Sequence, residues 1–84
     1  MEGIEAEEVV EGEIVVRIAD GSQHRVLLPA GVGVPGADDE SVAAALVAEL
    51  LTRGEVLPAV MDVSQLLARD PGLLAAVSAR LDRS

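Results

Sequence analysis

Cysteine is absent from this 84-residue chain, and so are phenylalanine, tyrosine, tryptophan and lysine. Without cysteine there is no disulfide, no thiolate ligand for a metal and no thiol nucleophile. Without aromatic rings the largest burials of an ordinary core and the usual anchors of an interface are missing, so cohesion has to come from many small aliphatic contacts. The single histidine, His24, has no second His and no Cys to share a metal with, and reads as a partly buried residue near a strand end. Long apolar runs are missing too. The longest uncharged stretch, Val26 to Ala37, falls far short of the roughly 20 residues that cross a bilayer. The first residues, Met1-Glu2-Gly3-Ile4-Glu5, are the reverse of a basic and then apolar signal peptide, which makes the cytoplasm the expected location.

What the chain has is 13 Val, 13 Ala and 11 Leu, enough for one aliphatic core and too little chain for a second. A core of this size is marginal, and association with a partner or with a second copy would strengthen it. The net charge is −9, and it is uneven: residues 1 to 13 hold six Glu and no base. Like charges at that density repel, so residues 1–10 are expected as a flexible acidic arm and residues 11–84 as one domain. All six basic residues are Arg, which reflects a GC-rich coding bias more than a functional choice. An acidic chain with no rings for stacking repels nucleic acid, and nothing in it addresses a membrane.

Along the chain, Ile14, Val15, Val16 and Ile18 are followed by Val26, Leu27 and Leu28, with Ala19-Asp20-Gly21-Ser22 between them as a hairpin turn. A three-residue loop with Gly21 in the left-handed region puts Ile14, Val16 and Ile18 on one face with His24, Val26 and Leu28. The opposite face then carries Glu13, Val15, Arg17, Arg25 and Leu27. Asp38-Asp39-Glu40-Ser41 marks a helix start; Val42, Leu46, Val47, Leu50 and Leu51 recur at helical spacing, and Gly54 supplies the stop. Residues 56–60 suit a third short strand, with Pro58 at a position that donates no ladder bond. Paired parallel to residues 14–18, that strand would make the element order similar to a ubiquitin-like β-grasp with its last strand replaced by helix. Asp62 with Gln65 resembles a capping box, and Asp70-Pro71 opens a closing helix whose stripe is Leu73, Leu74, Val77 and Leu81. The fold class expected is therefore α+β: a hairpin, a long amphipathic helix and a C-terminal helix pair.

The motifs that suggest chemistry fail on their surroundings. Gly31-Val-Gly33-Val-Pro-Gly36 spells the dinucleotide-binding pattern, but Asp38, Asp39 and Glu40 put three negative charges where a pyrophosphate would dock. These same acids lack the alternation and the closing Glu of a calcium loop. Asp62-Val63-Ser64 differs from the Asp-Ser pair of acyl carrier proteins by an inserted Val, and no Ser lies in a nucleophile motif. No cofactor, no metal and no catalysis are expected. The reading that survives is a protein-interaction module that binds another protein, through Val15 and Leu27 on the hairpin or Leu74 and Leu81 on the last helix. Glu5, Glu7 and Glu8 would steer a basic partner. A homo-oligomer built on the same surfaces is the alternative, and an acidic mimic of nucleic acid a more distant one.

Overall fold

The computed structural model describes residues 3–82, in the order β1 (Ile4–Val10), β2 (Glu13–Ile18), β3 (Gln23–Leu27), α1 (Asp39–Thr52), β4 (Val60–Asp62), α2 (Val63–Arg69) and α3 (Leu73–Asp82). The fold is α+β. One four-stranded sheet runs β1-β2-β3-β4, antiparallel until β4, which lies parallel to β3.

The β2–β3 hairpin has the register its parity predicts. Ile14 pairs with Val26, Val15 with Arg25 and Val16 with His24, around a turn in which Gly21 has φ +94°. The Ile18 amide donates to the Ser22 carbonyl at 2.9 Å, and Asp20 Oδ1 accepts from the Ser22 amide at 2.8 Å, which closes the loop locally.

The acidic leader departs from expectation. Residues 4–10 are strand β1, paired along β2 from Ile4 opposite Ile18 to Val10 opposite Glu13, so the domain begins before residue 11. The reason is alternation: Ile4 and Ala6 pack against the core, while Glu5 and Glu7 point away from it. A count of charges hides that pattern. β1 is nonetheless an edge strand, and its carboxylates give it the negative charge that discourages sheet-to-sheet pairing.

The third strand expected near 56–60 begins at Val60 and pairs with β3, not with residues 14–18. Both sides of β2 are already occupied, and Pro58, which has no amide hydrogen, stays outside the ladder. The β-grasp order is thereby excluded.

Helix α1 starts at Asp38, whose carboxylate accepts from the Ser41 amide at 2.8 Å. It stops where Gly54, at φ +76°, donates to the Leu51 carbonyl and Glu55 donates to that of Leu50, both bonds of a Schellman cap. Its buried surface is wider than the stripe expected from Leu spacing. Ala43, Ala44, Ala45 and Ala48 are buried as well as Val42, Leu46, Val47 and Leu50, because the sheet lies on one side of α1 and α3 on another. Small alanines allow that double contact at close helix spacing. Leu51, expected in the stripe, is 40% exposed. Leu73 and Val77 of α3 and Met61 and Val63 around β4 complete the core. Asp62 caps α2 through its bonds from the Ser64 amide and hydroxyl. Pro71 precedes α3 by two residues instead of opening it, and the Gly72 carbonyl accepts the first helical bond, from Ala76.

Candidate protein-docking surface

With α1 on one side of the sheet, the strand register decides what the other side shows. Three cross-strand rows face outward: Glu5, Arg17 and Gln23; then Glu7, Val15, Arg25 and Val60; then Val10, Glu13, Leu27 and Asp62. In the second and third rows the apolar residues alternate with charged ones. Val10, Val15, Leu27 and Val60 therefore form a zigzag band that crosses all four strands, about 14 Å at the usual strand spacing. Val10 and Val60 are 59% and 52% exposed, Leu27 is half-buried, and Val15 is buried between Glu7 and Arg25.

The charges around this band are only partly neutralised. Arg17 lies 4.0 Å from Glu7, and Arg25 lies 3.7 Å from Glu13, diagonal pairs on neighbouring strands. Among the described residues neither Glu5 nor Asp62 forms an ion pair, which leaves the face net negative, four carboxylates to two arginines.

Beyond the third row the band opens into a groove of about 630 Å³ at the end of the sheet, where Leu27, Leu28 and Val32 lie beside Glu11, Asp39 and Asp62. Among the described residues no basic side chain lines it. Gly12 holds this end together: its carbonyl accepts from the Leu28 amide at 2.7 Å, and its φ of +79° turns β1 into β2. Nearby, the Glu8 amide donates to Glu40 Oε2 at 3.0 Å, tying the edge strand to the start of α1.

Of the residues singled out from sequence, Val15, Leu27, Glu5 and Glu7 come together on this face. Glu8 does not; it lies opposite Ile14, on the α1 side. Leu74 and Leu81 belong to α3, which packs on α1, and both are half-buried, Leu81 against the core. Val10, Val60, Glu11 and Asp39 were not singled out as docking residues. Strict alternation from Ile4 and Ala6 would put Val10 on the α1 side; the register shift between Glu8 and Val10 brings it opposite Glu13 on the outer face, and Val60 joins that face only through the parallel β3–β4 pairing.

His24 and Ser22 are both hydrogen-bonded within the fold. His24 Nδ1 donates to the Pro58 carbonyl at 2.8 Å, and Nε2 lies 3.2 Å from Ser22 Oγ. That pair has the outline of a nucleophile and base, but the Ser22 hydroxyl donates to Asp20 Oδ1 at 2.6 Å and is directed away from the ring. The bonds from Ser22, with the charge of His24, hold Asp20 below the usual carboxylate range. The Gly31–Gly36 loop is closed by its own turns, Val32 to Pro29 and Ala37 to Val34, with Val32, Val34 and Ala37 packed on the core. Among the described residues no three His, Cys, Asp or Glu side chains are placed to hold a metal ion, and no helix is long and apolar enough to cross a membrane. No protein-family model, curated protein or solved structure matches this chain.

Proposed function

We propose that the chain is a non-catalytic protein-interaction module, an adaptor or small regulatory subunit, which docks through the outer face of its sheet. The observation that carries this reading is the Val10–Val15–Leu27–Val60 band. It crosses every strand, and two of its four members are more than half exposed. An apolar strip ringed by charge is the anatomy of a docking surface, with a desolvated centre and a polar rim. Glu5 and Glu7 stand on the same face, where they would guide a basic partner toward it.

Photo-crosslinking in the cells that make the protein tests this. A photoreactive residue placed at Val60 is expected to give an adduct with one other protein, and the same residue at exposed Ala75 on α3 is expected to give none. An adduct from Ala75 alone would move the interface to α3. Adducts only with a second copy would replace the adaptor by a homo-oligomer, and silence at both positions would end the proposal.

A further inference from the structure

The chemistry of the occupant follows from the charge of the face, given that the sheet's outer side is a docking surface. Stacked on a second copy, this face would set four carboxylates and two already paired arginines against the same set, within a chain whose net charge is −9. Like charges opposed across an interface oppose association. A partner segment with apolar and basic side chains in alternation avoids that conflict, because its cations meet a face that is net negative and whose Arg25 is already paired with Glu13, while its apolar side chains meet Val10, Val15, Leu27 and Val60. The groove extends the match. It continues the band from Leu27 and Asp62, it is lined by the apolar Leu28 and Val32, and it brings in Glu11 and Asp39 with no arginine among the described lining residues. Among the described residues the carboxylates do not form a metal site, and the groove is lined by both apolar and acidic residues. A flexible side chain with an apolar stem and a cationic end fits that description, since lysine and arginine bury their stems and keep their charge in a polar setting.

We propose that the outer face docks a segment of a different protein in which apolar and basic residues alternate. Its apolar side chains lie on the Val10–Val15–Leu27–Val60 band, and one Lys or Arg reaches into the groove between Glu11, Asp39 and Asp62.

The test is titration of the full chain, followed by the NMR shifts of its backbone amides, with three short synthetic peptides in which Val alternates with Arg, with Gln or with Glu. The Val-Arg peptide is expected to move the amides of Val15, Leu27 and Val60 together with those of Glu11 and Asp39. It should bind about tenfold more tightly than the Val-Gln peptide at low salt, and less so at high salt. Glu11→Gln combined with Asp39→Asn should remove that advantage, and Val60→Ser should weaken both peptides alike. Equal binding of the Arg and Gln peptides would overturn the basic occupant while leaving a docking face. Shifts at Glu55 and Asp82 as large as those at Glu11 and Asp39 would reduce the effect to general attraction and overturn the groove. Broadening of the band's amides with protein concentration alone would make the occupant a second copy. No response on the face to any peptide would overturn the occupant, and the crosslinking at Val60 then decides the docking reading by itself.

Discussion

His24 ties the β2–β3 turn to the segment that leads into β4, positions 34 residues apart, through one hydrogen bond from its ring to the Pro58 carbonyl. Because the ring is buried at 9% exposure, His24→Ala leaves that carbonyl without its partner and opens a small void. The expected cost is about 1–3 kcal/mol, seen as a lower urea midpoint at unchanged slope. Glycines divide in the same way between local and tertiary causes. At Gly21 the left-handed φ is the whole requirement, since a Cβ there meets nothing within 4 Å, whereas at Gly12 a Cβ would lie 2.8 Å from the Leu28 carbonyl oxygen. Gly21→Ala should therefore cost about 1 kcal/mol and Gly12→Ala clearly more, about 2–3 kcal/mol, a ranking that paired urea melts check. The role of Gly21 was legible from Asp20-Gly21 between two β-branched runs. That of Gly12 was not, because its crowding comes from residue 28.

At the scale of elements, α3 is fastened to α1 by charge as well as by packing. Glu49 accepts from Arg53 at 3.0 Å and from Arg80 at 3.3 Å, Arg80 also donates to Thr52 Oγ1 at 3.1 Å, and Arg53 reaches Asp70 at the α2–α3 junction. Arg53 and then Arg80 hold the Glu49 carboxyl below its ordinary value, while Asp70 and then Glu49 raise that of Arg53. The Asp38 cap is lowered in the same direction by the Ser41 hydroxyl and amide, as Asp20 is by Ser22. Each of these carboxylates is depressed in the folded chain, so its contribution is fully present above the ordinary values of 3.8 for Asp and 4.5 for Glu. It is lost as pH falls below them. The melting temperature should be level from neutral pH to about 5 and then decline; Glu49→Gln should lower the plateau slightly and make the decline shallower. Strand β1 gives a sharper test. Deleting residues 1–10 would leave an arm's loss without consequence, but here it strips the edge from β2 and uncovers the side of α1 that β1 packs against. The truncated chain is expected to be unfolded or aggregated by circular dichroism, whereas Glu5→Gln with Glu7→Gln should keep the native spectrum.

For the whole molecule, the core is a stack of sheet, α1 and α3 without a Phe, Tyr or Trp, and Val47 of α1 is fully buried in it. Val47→Asp should cost about 2–5 kcal/mol, a large fraction of the stability expected of a domain this small, and a strongly lowered thermal transition would show it. Light scattering should find a monomer over a wide range of concentration, because the apolar strip on the outer sheet face is surrounded by net negative charge. A dimer that persists on dilution would contradict the heterologous reading and favour self-assembly.

Sequence by itself determined what depends on near neighbours and on period: the α+β class, the register of the β2–β3 hairpin, the Asp38 and Asp62 caps, the Gly54 stop and the absence of thiol chemistry. Those features are set by turn chemistry, side-chain parity and hydrogen bonds that span a few residues. Tertiary structure alone decided that β1 belongs to the sheet, that β4 pairs with β3, and that α1 is covered on two sides. It also decided that Val10, Val15, Leu27 and Val60 form one band that ends in an acidic groove. Each of these joins segments far apart in the chain, and the choice among pairings there rests on which edge is free and which face is already covered, quantities that no stretch of sequence carries on its own.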